Sequence, residues 1–103
     1  MRQALEYHTQ RLAIAKEVGD LAGEGRAYGN LSITYRSQGY FAKGLEYQTQ
    51  GLAIVKEMGD RAGESTAYAN LGTCHMHLNE YVKAVACFEA QHAMATSDRK
   101  SVV

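Results

Sequence analysis

Proline is absent from this 103-residue sequence, and so is tryptophan. Proline interrupts helices and marks many turns, so its absence is informative in a chain where about 5% would be usual. Alanine, leucine, glutamate, glutamine and lysine are abundant, and this composition favours α-helix along the whole chain. Apolar residues make up 46% of the sequence, which is enough for a packed core and argues against global disorder.

Long apolar runs and blocks of like charge are also missing. No stretch approaches the length of a membrane span, and no apolar signal segment follows Met1. Eleven basic and eleven acidic residues balance, so nothing indicates binding to nucleic acid or to an anionic membrane. The two cysteines, Cys74 and Cys87, fit a reducing compartment better than a disulfide-built secreted domain. We therefore expect a cytoplasmic protein.

The sequence repeats itself with a period of 40 residues. Half of the 40 aligned positions are identical between residues 4–43 and 44–83. The segment Leu-Glu-Tyr at 5–7, for example, returns at 45–47. A period of this length indicates a repeat architecture rather than a globule with a single core.

Within each unit, apolar residues recur at helical spacing. Ala27, Leu31 and Tyr35 lie on one stripe, and no stretch alternates long enough for a strand. This pattern indicates paired helices rather than strand-built repeats such as propeller blades. Helices are expected to end at Gly39 and Asn79, because both residue types accept the left-handed conformation. The predicted helices cover about 2–18, 22–38, 41–58, 62–78 and 81–96.

The other turn of each unit carries Gly19-Asp20, which returns as Gly59-Asp60. In this order, glycine stops one helix and aspartate caps the next one. The turn is therefore expected to have the same structure in both units.

Three motifs in these helices resemble the signature of tetratricopeptide repeats. They are Tyr28-x2-Leu31-Ser32-x2-Tyr35, Tyr68-x2-Leu71-Gly72-x2-His75 and Ala84-x3-Phe88. The 40-residue unit, with its Gly-Asp-x-Ala-Gly-Glu turn, is similar to the subclass found in the LGN/Pins adaptor proteins and, more distantly, to kinesin light chains. The resemblance extends to about residue 96.

The chain departs from that family at positions of close helix packing. Ser32 replaces the family glycine, Gly44 replaces a small alanine, and Gly51 falls where alanine is common. A glycine inside a helix costs about 1 kcal/mol relative to alanine. We expect these changes to lower the stability without changing the fold.

The resemblance implies an all-α solenoid of helical hairpins with a right-handed superhelix. Residues 1–96 would form about two and a half repeats, with five antiparallel helices. The first helix of each pair would line the concave surface. The residues on that surface would be Arg26, Asn30, Ile33, Arg36 and Ser37 from one helix, and Thr66, Asn70, Thr73, Met76 and His77 from the next.

The resemblance further implies that this concave surface binds an extended peptide or partner segment. Asn30 and Asn70 are the strongest candidates, because a side-chain amide offers a donor and an acceptor to a peptide backbone. LGN-like repeats use asparagines at matching positions in this way. The alternative is that both asparagines link neighbouring repeats. Arg26 and Arg36 would clamp an acidic partner, or would belong to a solvated face.

Motifs for catalysis or cofactor binding are not found in the sequence. Neither a Gly-x-Ser-x-Gly elbow nor a phosphate loop is present, so we predict no enzymatic activity and no cofactor. Cys74 and His77 lie three residues apart on one helix, but structural zinc needs four ligands. A buried Cys74 and a packed His75 are favoured over a metal site. Packing roles are also predicted for Tyr7, Tyr28, Tyr47 and Tyr68.

Two functions stay open: a scaffold or adaptor that binds a protein or peptide partner, and a structural spacer within a larger repeat protein. Five helices are near the minimum of about three repeats, and no polar capping helix is visible. We therefore expect a fragment of a longer protein that is marginally stable or self-associates through uncapped ends. Residues 97–103 break the repeat pattern and are interpreted as a frayed tail without function, or as an artefact of sequence assembly.

Overall fold

The computed structural model of the chain describes residues 2–102, with side chains described for residues 3–96. No strand occurs within residues 2–102. The structure consists of α1 (Arg2–Val18), α2 (Leu21–Ser37), α3 (Phe41–Met58), α4 (Arg61–His77) and α5 (Tyr81–Val102). The predicted all-α array of helical hairpins is confirmed.

Each helix packs chiefly on the helices next to it in the chain, α1 on α2, α2 on α3, α3 on α4 and α4 on α5. The resulting stack is flat, with extents of 43 × 34 × 15 Å. Contacts restricted to sequence neighbours are typical of solenoids, in which no single central core forms.

Small apolar side chains fill the contacts between helices. The buried apolar residues are Ala15, Ala27, Tyr28, Leu31, Ile54, Ala67, Leu71, Cys74 and Ala84. Small residues predominate because they let helix backbones approach closely. Ala27 and Leu31 of the stripe predicted on α2 are therefore buried, as are their equivalents on α4, whereas Tyr35 is half-buried.

Tyrosine rings pack mainly between α2 and α3. Tyr35 and Tyr47 stack with ring centroids 5.6 Å apart and an interplanar angle of 6°. Tyr28 is buried and lies 6.2 Å from Tyr47. Tyr7, the residue of α1 that is equivalent to Tyr47, is 56% exposed, because no helix of the described chain covers that face. The predicted packing role is thus confirmed for Tyr28 and Tyr47 and wrong for Tyr7.

The Gly-Asp turns have the predicted geometry in both units. Gly19 and Gly59 adopt left-handed φ angles of 74° and 71°. The backbone N–H of Gly23 donates to Asp20 Oδ1 at 2.9 Å, and the same cap recurs between Asp60 and the third residue of α4 at 2.9 Å. Each aspartate thereby satisfies one of the free N–H groups at a helix start.

The turns after α2 and α4 use Gly39 and Asn79, which adopt φ angles of 87° and 62°. Both turns are closed in the same way, since Tyr40 N–H donates to Tyr35 O at 2.9 Å and Glu80 N–H donates to His75 O at 2.8 Å. Asparagine therefore substitutes for glycine at this position, as predicted.

The last helix is longer than the sequence predicted. α5 continues to Val102, whereas residue 96 was the predicted end. Residues 97–102 contain neither glycine nor proline, so the loss of the repeat pattern there brings no stop signal with it. The side chains from residue 97 onward lie outside the described residues, and the weak packing of this segment stays a prediction.

Candidate functional site

Helices α2, α3 and α4 enclose an open hollow of about 420 Å³, which we call the groove. From α2, Arg26, Asn30 and Ile33 line it; from α4, Thr66 and Asn70 line it. These residues are five of the ten that the sequence predicted for the concave surface. The repeat pattern therefore located one shared surface on two helices that are far apart in the sequence.

The floor of the groove is formed by α3, which sequence reasoning did not consider. Gln48, Gly51 and Val55 line it. Gly51 is buried, and a Cβ atom there would lie 3.5 Å from Tyr28 Cβ, an ordinary contact distance. Gln48 is polar but only 5% exposed, so its amide needs hydrogen-bonding partners.

The remaining predicted residues, Arg36, Ser37, Thr73, Met76 and His77, do not line the groove. Thr73 Oγ1 donates to the Ala69 carbonyl at 3.0 Å, and His77 Nδ1 lies 3.0 Å from the Thr73 carbonyl. The His77 ring also stacks on Phe41, with centroids 4.2 Å apart. Thr73 and His77 therefore use their polar atoms on their own helix, and only Arg36 reaches toward the groove.

Asn70 joins three helices through hydrogen bonds. Arg36 Nη1 donates to Asn70 Oδ1 at 3.3 Å, and Asn70 Nδ2 donates to Gln48 Oε1 at 3.2 Å. Arginine has donors only, so the Asn70 atom facing it must be the oxygen, and this choice fixes the orientation of both amides. At Asn70, the structure thus shows the link between neighbouring repeats that was the alternative role for the asparagines.

Asn30, at the equivalent position of the first repeat, has a different environment. Its side chain is exposed, as is that of Arg26. Within residues 3–96, neither side chain makes a hydrogen bond or an ion pair. Both polar groups are therefore available to a ligand.

The concave surface continues from the groove toward α1. A smaller pocket of about 100 Å³ is lined by Tyr7, His8, Arg11, Arg26 and Asn30, among others. No acidic side chain lines this pocket. Arg11 was missed from the sequence because α1 is the second helix of its pair, and only first helices were expected on this surface. Although the chain is neutral overall, this part of the surface is basic.

Packing beneath the groove differs between the two repeats at Ser32 and Gly44. Ser32 is fully buried, and its hydroxyl donates to the Gly44 carbonyl at 2.7 Å. A Cβ atom on Gly44 would approach the Ser32 carbonyl oxygen to 3.1 Å. In the second repeat the glycine is on the other helix: Gly72 is equivalent to Ser32, and Ala84 is equivalent to Gly44. Gly44 thus avoids a close contact with the Ser32 carbonyl, which adds to the expected loss of helix propensity an effect of packing.

The same difference explains why residue 48 is not aromatic. Its equivalent, Phe88, packs so closely on Gly72 that a Cβ atom there would lie 2.7 Å from the ring. Ser32 carries a Cβ atom at the Gly72 position, so a ring at position 48 would overlap it. Gln48 could have been found from the sequence, because it is a polar residue at a position where the next repeat carries the apolar Phe88.

Cys74 and His75 are packed side chains, as predicted. Cys74 is fully buried, and burial raises the pKa of its thiol, while the nearby Arg36 guanidinium opposes this shift. His75 Nδ1 lies 2.9 Å from Glu80 Oε1, and this contact holds the pKa of the Glu80 carboxyl below its ordinary value. Among the described residues, no group of three or more potential metal ligands occurs, and no helix is long and apolar enough to cross a membrane.

Comparisons with known proteins agree with this architecture. The tetratricopeptide-repeat family matches residues 67–100. The crystal structure of the tetratricopeptide-repeat domain of Arabidopsis FLU superposes with a TM-score of 0.86 at 23% sequence identity, covering 93% of this chain and 81% of that one. The chain has the tetratricopeptide-repeat fold. The repeat type predicted from the motifs is thereby confirmed.

Sequence relatives support the predicted similarity to LGN/Pins-type adaptors. G-protein-signaling modulator 1 of Mus musculus and of Rattus norvegicus is 42% identical over 43 residues. The Homo sapiens protein of the same name is 44% identical over 41 residues, which is 40% of this tetratricopeptide-repeat chain. The matched region is 6% of the length of each of these relatives.

Proposed function

We propose that the protein is a protein-interaction scaffold whose concave surface binds an extended, acidic segment of a partner protein. The observation that carries this proposal is the exposed pair Arg26 and Asn30, which line both the groove and the smaller pocket. An asparagine amide can pair with a peptide backbone, and a guanidinium binds carboxylates through paired hydrogen bonds. An extended peptide that passes this pair would contact all of α1, α2 and α4.

The family and the relatives support a protein partner. Tetratricopeptide repeats are generally protein-interaction modules, and the relatives are named for modulating G-protein signalling. A cytoplasmic location is part of this proposal, because both cysteines, Cys74 and Cys87, are free thiols.

A structural spacer is the second candidate function. The bonds of Asn70 to Arg36 and Gln48 favour it, since they use groove amides for packing between repeats. The two candidates differ in what they require of Arg26 and Asn30: a binding groove needs these side chains, and a spacer does not.

The test selects ligands for the whole chain from a displayed library of random 12-residue peptides and measures the affinity of the most enriched peptide. We expect Asn30→Ala to weaken binding about 2–10-fold, and Arg26→Ala to weaken it about tenfold or more, because hydrogen bonds to charged groups are stronger. Thermal unfolding of both variants should stay unchanged, since both side chains are exposed and make no bond within the described chain.

Gln50→Ala is the matched control, because Gln50 is an exposed amide on α3 that does not line the groove. This variant should bind the peptide as the unmodified protein does. If no peptide is enriched, or if Asn30→Ala and Arg26→Ala bind as tightly as Gln50→Ala, the spacer function is favoured and the binding proposal is wrong.

A further inference from the structure

The two asparagines of the groove have equivalent places in the repeat but offer different chemical groups to a ligand. Asn30 has its carbonyl oxygen and both N–H groups available within the described chain. Asn70 has its oxygen occupied by Arg36 and one N–H occupied by Gln48. What remains at Asn70 for a ligand is mainly one N–H donor.

The neighbouring Arg36 adds further donors and a positive charge. A guanidinium has five N–H donors, and the bond to Asn70 uses one of them. Arg36 is half-buried, and no acidic side chain within residues 3–96 forms an ion pair with it. A half-buried charge without a counterion is unfavourable, so this position attracts an anion.

Gln48 provides the second contact that holds the Asn70 amide. Arg36 has donors only and therefore sets which atom of Asn70 faces it, and Gln48 accepts from Nδ2 and supports the same orientation. If residue 48 were apolar, as Phe88 is in the next repeat, this acceptor would be missing. The Asn70 amide would then be held by the Arg36 bond alone.

We infer that Gln48 is a positioning residue of the groove, which fixes the Asn70 amide so that Asn70 and Arg36 together bind an acidic side chain of the ligand. Asn30 forms a separate position that binds the peptide backbone. The inference rests on the proposed function, because it assumes that the groove binds a peptide.

The experiment compares two ligands, the most enriched library peptide and the same peptide with its acidic residues changed to the corresponding amides. For the unmodified protein, we expect the acidic peptide to bind at least about tenfold more tightly than the amide peptide, since its carboxylates meet the charges of Arg26 and Arg36. In Gln48→Met, which keeps the shape of the side chain but removes the acceptor, this ratio should fall by about three- to fivefold, because the Arg36 position is weakened while Arg26 is unchanged.

Asn30→Ala is the control for this ratio. It should weaken binding of both peptides by a similar factor and leave the ratio unchanged. A residue with only a structural role at position 48 would likewise weaken both peptides equally, so the change in the ratio separates positioning from stability.

A second variant removes Gln48 and does not require the first repeat to accommodate a methionine at position 48. Ser32→Gly, Gly44→Ala and Gln48→Phe together copy the packing of Gly72, Ala84 and Phe88, which the second repeat already uses. This triple variant should fold and show the same reduced ratio. Side-chain amide NMR should also show a changed Asn70 signal in both variants before any peptide is added.

The outcomes separate the inference from the proposed function. A ratio that stays at its original value in Gln48→Met and in the triple variant overturns the inference, and so does an enriched peptide without acidic residues. The absence of any enriched peptide overturns the proposed function itself.

Discussion

Two glycines in helix interiors have opposite local environments. Gly44 faces the Ser32 carbonyl oxygen, to which a Cβ atom would come within 3.1 Å. Gly29 on α2 has no atom within 4 Å of the position that a Cβ atom would occupy. Helix propensity favours alanine at both sites. Packing therefore decides whether replacing each glycine by alanine raises or lowers the free energy of unfolding.

We expect Gly29→Ala to raise the free energy of unfolding by about 1 kcal/mol, which is the propensity difference between the two residues. Gly44→Ala should lower it by about 1 kcal/mol, because the close contact outweighs the gain in propensity. Urea unfolding followed by circular dichroism measures both changes.

The equivalent of Gly29 in the second repeat is Ala69, which offers the reverse control. Ala69→Gly should lose about what Gly29→Ala gains. If Gly44→Ala stabilises the protein as much as Gly29→Ala does, the contact with Ser32 does not limit the packing.

The hydrogen-bonding roles of individual residues were the part of the site that the sequence predicted least completely. The 40-residue period predicted Asn30 and Asn70 as equivalent positions, and both do line the groove. Their hydrogen bonds differ because Asn70 bonds to Arg36 on α2 and Gln48 on α3, whereas the position equivalent to Gln48 beside Asn30 is His8. A comparison of aligned positions one at a time does not show such a contact between positions.

At the scale of a single turn, the sequence Gly-Asp-x-Ala-Gly has a specific packing reason. Asp20 caps α2 through the N–H of Gly23, and its carboxylate occupies the space where a side chain of residue 23 would lie. A Cβ atom at position 23 would therefore require the capping carboxylate to move.

We expect the changes in the free energy of unfolding that Asp20→Ala and Gly23→Ala cause to be strongly coupled. Gly23→Ala alone should destabilise the protein by about 1 kcal/mol or more, because the new Cβ atom displaces the capping carboxylate. In the Asp20→Ala background, the same substitution should instead stabilise it by up to about 1 kcal/mol, since only helix propensity remains. Thermal unfolding of the four proteins of this double-mutant cycle gives the coupling energy.

Additive effects in this cycle would contradict the explanation. The first turn of α2 is the better site for the test, because Gly63 in the second repeat also faces Val55, where a Cβ atom would lie 2.9 Å from Cγ1. Effects at Gly63 would therefore mix two causes.

Helix boundaries were predictable wherever the sequence carries a stop or start signal. Gly19, Gly39, Gly59 and Asn79 all adopt the left-handed conformation at the predicted turns. The end of α5 was predicted from the loss of the repeat alone, and the helix continues because no residue there interrupts it. Residues that stop a helix, here glycine and asparagine, are thus a better guide to helix ends than the repeat pattern.

For the molecule as a whole, one face of α5 carries exposed apolar residues. Val82 is 85% exposed, and an open hollow nearby is lined by Val85, Phe88 and Ala93 together with Glu89 and His92. On α3, the equivalent of Phe88 is Gln48, which is buried. The repeat therefore places a further helix on this face, and within residues 2–102 none lies there.

We expect the protein to self-associate at high concentration through this face of α5. Val85→Glu should raise the dissociation constant by at least about tenfold, because the contact would bury an unpaired charge. Sedimentation velocity over a concentration series measures the effect.

Met58→Glu is the control, since Met58 is an exposed apolar residue at the end of α3 and the substitution adds the same charge. Association that persists in Val85→Glu, or that is lost equally in Met58→Glu, would contradict a role for this face of α5.

The predominance of contacts between adjacent helices has a kinetic consequence. The main packed pairs of helices are close in sequence, so folding requires chiefly short loops to close, and low contact order is associated with folding in microseconds to milliseconds. Such arrays can start to fold at any hairpin and extend from there, and separate parts are only weakly coupled. A ligand that spans the concave surface from α1 to α4 would add long-range coupling beyond the Arg36–Asn70 bond between α2 and α4. Binding would then make unfolding of the array more cooperative.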